Sequence, residues 1–266
     1  TIVYEGTNPE MKRNARFLSE YIQQSTGIKT TLLDKRDKKA AAIVLVINPK
    51  VQGDEAYRLT VNNKQVTIAA STPAGVFYGI QTLRKSLPVQ TNGADTTLPA
   101  VDVADAPRFG YRGMMLDCGR HFFPVSFVKK FIDILAMHNM NVFHWHLTED
   151  QGWRLEIKSH PKLTAKSSMR SGTVIGHNAT VDDSIPHGGF YTQQEAGDSV
   201  EYARQRHITV IPEIDMPGHT LAALAAYPEL GCTGGPYEVG HRWGVYKDVL
   251  CLGKESTYKF VQEVID

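Results

Sequence analysis

One arginine, three histidines and four carboxylates carry the chemistry this sequence offers, and they fall in three short runs. Arg120 follows Gly119 at the end of Arg112-Gly-Met-Met-Leu-Asp-Cys-Gly-Arg120. Its guanidinium can present a rigid fork of donors to vicinal hydroxyls, or it is simply a surface arginine. Asp117 alternates with Met115 in the same run and either supports Arg120 or pairs within the fold. His144 and His146 stand two apart in Asn141-Val-Phe-His-Trp-His-Leu-Thr-Glu-Asp-Gln-Gly-Trp-Arg154 and, on a strand, project to one side. Such a pair can bind zinc, with Asp215 and His219 nominally completing four ligands, or it can be a hydrogen-bonded packing pair. Glu149 and Asp150 form an acidic doublet, either solvated in a loop or set against an imidazole. Asp215 and His219 close the third run, Ile208-Thr-Val-Ile-Pro-Glu-Ile-Asp-Met-Pro-Gly-His219, where Asp215 could also anchor the turn at Pro217-Gly218.

Each run starts apolar and ends polar, as a buried barrel strand does when it delivers functional groups at its C-terminal end. Between the runs lie helical signals. Pro124 starts one helix, with Phe127, Val128, Phe131, Ile132 and Leu135 on a common stripe. Thr192 and Glu195 make a capping box for a second, and Pro217-Gly218-His219 leads into an Ala-rich third ending near Tyr227. Three strand–helix repeats predict part of a (β/α)8 TIM barrel over 108–266. Its connection from Leu147 to Tyr191, about 40 residues, and that from Pro228 to Lys254, also long, are long enough to be functional.

Residues 1–107 read differently. Asn8-Pro9 caps a helix with Phe17, Leu18, Tyr21 and Ile22 on its apolar face, stopped at Gly27. Ile43 to Ile47 is a buried strand, and Tyr57 to Ala70 is a hairpin turning at Asn62-Asn63-Lys64. Thr72-Pro73 caps a second helix through Leu87. The whole is a small α/β layer domain, with 88–107 read as a polar connection. The predicted fold class is therefore α/β, a small layer domain followed by a partial barrel.

The 266 residues are 42% hydrophobic with a net charge of +1, which supports a proper core and argues against a nucleic-acid partner or a polybasic membrane anchor. No apolar stretch approaches the roughly 20 residues of a membrane span. The chain opens at Thr1 without a signal-peptide pattern, so any export signal is expected to have been removed or never included.

The strand-end phrases resemble those of the β-N-acetylhexosaminidases of glycoside hydrolase family 20. They are Arg-Gly-Met-Met-Leu-Asp-Cys-Gly-Arg-His, Phe-His-Trp-His-Leu-Thr-Glu-Asp-Gln-Gly-Trp-Arg, Gly-Gly-Phe-Tyr-Thr and Pro-Glu-Ile-Asp-Met-Pro-Gly-His, in family order. Residues 1–107 resemble the small α/β domain that precedes the barrel in that family. The resemblance implies hydrolysis of terminal β-linked GlcNAc or GalNAc from glycans or chito-oligosaccharides, with no metal and no cofactor. It implies that Arg120 holds the sugar, that His146 lies near the substrate, and that Glu149 or Asp150 and His219 form a relay to a general acid. The implied mechanism is retaining and substrate-assisted: the 2-acetamido oxygen attacks its own anomeric carbon. Alternatives are a metal-dependent hydrolase and a carbohydrate-binding fragment without catalysis.

The family's acid belongs to an Asp-Glu doublet after an Ile-Gly-Gly-like phrase, and no such phrase occurs here. Tyr258, Val261, Val264 and Ile265 form a helical stripe running to Asp266 with no stop signal. The expectation is the amino-terminal portion of a longer enzyme, inactive alone and with an unpaired third-strand edge. Cys232 and Cys251 flank an irregular Gly-rich loop, which suggests a disulfide, and some family members bridge at this place; free thiols are the alternative. Cys118 is expected to be a buried free thiol. A bridge points to a periplasmic, secreted or cell-surface protein, or to a lysosome-like compartment in a eukaryote. The oligomeric state is not legible. The glycosylation sequon Asn178-Ala-Thr180 says nothing unless the source glycosylates proteins.

Overall fold

The computed structural model describes residues 1–4, 6–35, 42–89, 93, 97–176 and 180–266; most of the sequon, Asn178 and Ala179, lies outside them, as does Asn92 of the 88–107 connection. The chain forms two compact units. The first comprises Thr1–Arg112 with Ala136–Asn141 and Gln205–His207, and the second comprises Gly113–Leu135, Val142–Arg204 and Ile208–Asp266.

In the first unit the order is β1 (Ile2–Tyr4), α1 (Pro9–Thr26), β2 (Leu32–Leu33), β3 (Ile43–Ile47), β4 (Tyr57–Val61), β5 (Val66–Ala70), α2 (Pro73–Ser86) and β6 (Val101–Asp105). The six strands make one sheet in the order β2-β1-β3-β5-β4-β6. Local chemistry sets the helix ends. Asn8 Oδ1 accepts the Glu10 N–H at 2.8 Å, and Gly27 closes α1 at φ 78°, a left-handed conformation that suits glycine. Thr72 Oγ1 accepts the Gly75 N–H at the start of α2. Residues 101–105, read as part of a connection, are instead the edge strand β6 on β4. Its side chains are mostly exposed, and Arg58 pairs with Asp102 at 2.8 Å across the ladder, so a charged edge hides the apolar alternation a strand reading needs.

The second unit continues with β7 (Gly113–Asp117), α3 (Val125–Met137), β8 (Val142–His146), β9 (Thr148–Glu149), β10 (Gly152–Trp153), α4 (Lys162–Ser167), β11 (Met169–Arg170), β12 (His187–Gly188), α5 (Gln193–Arg204), β13 (Thr209–Glu213), α6 (Leu221–Ala226) and α7 (Glu255–Ile265). β7, β8 and β13 form a parallel sheet with β8 in the middle. The register places Asp117 beside His146 and His146 beside Glu213, so the three strand ends carry their polar residues in one row. Val128, Ile132 and Leu135 of α3 are buried, while Phe127, placed on the same stripe, is 40% exposed. The Thr192–Glu195 capping box closes in both directions, at 3.1 Å and 2.9 Å.

The Leu147–Tyr191 connection is structured rather than loose: the β9–β10 hairpin, α4 and the β11–β12 pair lie within it. A second core explains this. Trp153, Ile157 and Leu163 pack with Leu221, Leu224, Leu230, Tyr237, Leu250, Phe260 and Val264. The final helix contributes Thr257, Phe260 and Val264, a stripe rotated from the one read in the sequence; Tyr258 and Ile265 are 48% and 71% exposed. Burial against Trp153, and a 2.8 Å bond from His160 to Glu263, choose that face.

Cys232 and Cys251 are joined, with Cα atoms 4.8 Å apart, and Cys118 is free and buried. Closing a loop of 19 residues stabilises by about 3 kcal/mol through the unfolded chain. Cys232→Ser should therefore lower the unfolding free energy by about that amount in urea, with alkylation of unreduced wild type finding one thiol. Equal stability of the two proteins would deny the bridge that role.

Candidate active site

The row Asp117, His146 and Glu213 is the floor on which the other candidates stand. Immediately past β7, Gly119 lets the hairpin approach: a Cβ there would come within 2.8 Å of Glu149 Cβ and 3.0 Å of the Thr148 carbonyl carbon. Arg120 is thereby delivered next to Glu149. Its main-chain N–H donates to Asp117 Oδ1 at 2.9 Å, one guanidinium nitrogen to Asp117 Oδ2 at 2.5 Å, and the other makes a short ion pair with Glu149 Oε1. Burial disfavours the cation, but Asp117 and Glu149 outweigh it and hold the guanidinium above its usual pKa.

Glu149 is 1% exposed and uses both oxygens. Oε1 meets Arg120; Oε2 lies 3.0 Å from His219 Nδ1. Asp150, equally buried, also places Oδ2 3.0 Å from His219 Nδ1 and accepts the Leu221 N–H on Oδ1 at 3.0 Å. Both members of the doublet therefore face one imidazole nitrogen. Burial raises the Asp150 pKa; the Leu221 N–H and His219 offset it in part, and neighbouring Glu149 adds to it. His219 stands at φ 51°, a left-handed conformation that costs a side-chain-bearing residue about 1–2 kcal/mol.

Glu213 was not among the residues singled out in the sequence, yet it organises the histidines. Its Oε2 lies 2.5 Å from His144 Nε2 and 2.7 Å from His146 Nδ1. The spacing of Glu213 two residues before Asp215 is the local signal for it; that it faces the histidines follows only from the register of β13 on β8. Asp215 joins His146 and Glu213 in one group, and its main-chain N–H donates to Thr148 Oγ1 at 2.9 Å. The four nominal zinc ligands do not converge: His144 and His146 turn to Glu213, while His219 turns to the doublet. Two triads, His146-Glu213-Asp215 and Glu149-Asp150-His219, have ligand atoms within 4.8 Å, a spacing a divalent ion could bridge. In both, imidazole nitrogens already face carboxylate oxygens at hydrogen-bond distance.

Burial would push the His146 imidazole down, but Glu149, Asp117 and Glu213 carry it up to about 9. The Glu149 contact, at 3.5 Å, acts through charge more than as a hydrogen bond. An unfolded histidine releases its proton near 6.5, so this raised pKa contributes stability that is complete below about pH 6.5 and lost as pH rises through about 9. The loss is on the order of 3 kcal/mol. Urea unfolding across that window should record it, and His146→Gln should flatten the dependence; an equally steep profile in the variant would place the titration elsewhere.

With this geometry in place, comparison with known proteins decides the family. The family description "Glycosyl hydrolase family 20, catalytic domain" matches residues 109–266, and "Glycosyl hydrolase family 20, domain 2" matches residues 1–106. The chain belongs to glycosyl hydrolase family 20. A "Beta-hexosaminidase" of Porphyromonas gingivalis is 41% identical over 97% of this chain and 33% of its own length. One from Vibrio furnissii is 42% identical over 86% of this chain and 37% of its own length. Among solved structures, the GH20 beta-N-acetylhexosaminidase from Streptomyces coelicolor superposes with a TM-score of 0.86 at 37% identity, over all of this chain and 52% of that one. The Streptomyces plicatus N-acetyl-beta-hexosaminidase gives 0.85, over 51% of its chain. The chain thus spans about a third of these family 20 relatives and half of the matched structures. In these neighbours the match is an amino-terminal α/β domain and part of a TIM barrel, which is what β7, β8 and β13 with their helices represent here.

Proposed function

We propose that this family 20 chain serves an exo-acting β-N-acetylhexosaminidase that removes terminal β-linked GlcNAc or GalNAc by a retaining, substrate-assisted route. One observation carries the reading: the Glu149 carboxylate ties the Arg120 guanidinium to the His219 imidazole. A fork suited to vicinal sugar hydroxyls and an imidazole suited to holding a general acid are thereby fixed as one body. The printed names of the relatives, including an N,N'-diacetylchitobiase of Vibrio harveyi, favour N-acetylhexosamine-terminated glycans or chito-oligosaccharides as substrate.

The 2-acetamido oxygen displaces the aglycone from its own anomeric carbon, while the general acid gives its proton to the departing oxygen; water then opens the oxazolinium. In this reading Arg120 holds the ring, and Glu149, Asp150 and His219 set the position and acidity of the acid. The carboxylates that follow His219 are Glu229, Glu238, Asp248, Glu255, Glu263 and Asp266. None follows an Ile-Gly-Gly phrase, and Glu263 is taken up by His160. We infer that the proton donor is not among them and that these 266 residues alone do not turn over. The bridge between Cys232 and Cys251 favours an oxidising compartment: periplasm, cell surface, exterior or a lysosome-like lumen.

The test is hydrolysis of a nitrophenyl N-acetyl-β-glucosaminide, with and without chelator. A full-length protein containing this chain should hydrolyse it, indifferent to chelation, and the 266 residues alone should not. Loss of activity on chelation would favour a metal-dependent hydrolase. Binding of N-acetylglucosamine without turnover by the full-length protein would favour a carbohydrate-binding role. Turnover by the 266 residues would place the donor among the carboxylates named above.

A further inference from the structure

Arg154 is fully buried, and every acceptor of its guanidinium is a main-chain carbonyl. Nε donates to Cys118 at 3.0 Å and to Gly119 at 3.3 Å; Nη2 donates to Gly119 at 2.9 Å and to Gln151 at 3.2 Å. Nη1 donates to Ser168 at 2.5 Å and to Gly189 at 3.3 Å. Among the described residues no carboxylate pairs with it. A cation hydrogen-bonded out of water only to carbonyls is costly, and burial, with Arg170 beside it, lowers its pKa to about 10, although the charge of Asp117 favours it. Gly152 clears the space: a Cβ there would stand 2.1 Å from Arg154 Cζ. An apolar side chain could fill this volume more cheaply. What it could not do is bring donors to three separate segments at once.

The segments gripped include the one that carries Arg120. The carbonyls of Cys118 and Gly119 go to Arg154, and the carbonyl of Arg120 itself accepts from Arg170 at 2.5 Å. Arg170 is 5% exposed and is itself oriented by Thr173 Oγ1, at 3.3 Å from Nε and 3.0 Å from Nη2. With the Arg120 N–H on Asp117, the main chain is fixed both before and after the residue that carries the fork.

We propose that Arg154 and Arg170 are positioning residues for Arg120, two buried guanidiniums that lock its main chain and so aim its donors. The proposal rests on Arg120 holding the substrate, as in the function inferred above. Arg154→Lys keeps the charge but loses the fork, and a misplacement of about an ångström is enough to cost a large factor in binding geometry. In the full-length protein, Arg154→Lys and Arg170→Lys should each raise KM for the nitrophenyl substrate by about tenfold, with a smaller fall in kcat. Combined with Arg120→Ala, either should add less than about twofold, because the group being positioned is already gone.

A second measurement is independent of turnover. Hydrogen exchange in a peptide spanning 118–121 should accelerate by about tenfold in Arg154→Lys, with peptides from β3 and β5 unchanged. Multiplying losses in the double variants, or unchanged exchange at 118–121, would overturn the proposal. A wild-type protein with no glycosidase activity but accelerated exchange in the variant would sustain the clamp and defeat the proposed function instead. Should Arg154→Lys fail to fold, Arg170→Lys, which touches fewer segments, carries both measurements.

Discussion

Arg120→Ala is expected to lower kcat/KM on an aryl N-acetylglucosaminide by roughly 30- to 1000-fold in the complete enzyme, about 2–4 kcal/mol of transition-state binding. Among the described residues, two of the five N–H groups of its guanidinium are engaged, one by Asp117 and one by Glu149. Those two carboxylates also fix the plane of the fork before substrate arrives, which reduces the ordering cost at binding. The alanine variant loses the donors and leaves Glu149, 1% exposed, without its cation. That second loss falls on stability as well as on activity. Unfolding measurements alongside kinetics separate the two, because a share due to sugar binding would survive correction for the fraction folded. An unchanged kcat/KM would remove Arg120 from the site.

Features set by neighbours in sequence were the legible ones. The Asn8 and Thr192 caps, the hairpin at Asn62-Asn63-Lys64 and the three apolar-to-polar strands all follow from chemistry within a few residues of each other. What was missed depends on partners far along the chain. β6 exists because β4 offers it a ladder, and its exposed, charged side chains carry no apolar alternation. The hairpin and short helix between Leu147 and Tyr191 are ordered by Trp153 packing against α6 and α7, which no local pattern records. The candidate site divides in the same way. Arg120, Glu149, Asp150 and His219 were nominated and do lie together. Glu213 receives both histidines, a role that is not legible locally because it appears only when β13 is laid in register on β8. Arg154 lies inside a motif, but its contacts to Ser168 and Gly189 span a connection that the sequence leaves open.

The doublet gives the second large effect. Glu149 Oε2 and Asp150 Oδ2 both lie 3.0 Å from His219 Nδ1, and one N–H cannot satisfy two ionised carboxylates equally. Asp150 is the member whose charge is disfavoured: burial raises its pKa, and Glu149 adds repulsion. Glu149 is the member held by a cation, Arg120. On this geometry the partner that orients His219 is Glu149, itself tied to Arg120, while Asp150 anchors the imidazole's loop through the Leu221 N–H. Removing the imidazole from a relay that positions a general acid should cost about 10²–10⁴ in kcat, with the acidic and basic limbs of the pH–rate profile displaced. The His219 side chain is 31% exposed, but its loss leaves the buried Glu149 and Asp150 without their imidazole, so unfolding of His219→Ala is measured alongside and kcat is compared per folded molecule. Glu149→Gln should approach the same kinetic loss, and Asp150→Asn should lose less, since its neutral form still accepts from Leu221. The deciding measurement is leaving-group dependence: a chitobiose substrate, whose departing alcohol needs a proton, should suffer more from His219→Ala than a nitrophenyl glycoside. Equal losses on the two would mean that His219 holds the fold or the sugar and does not act on the acid.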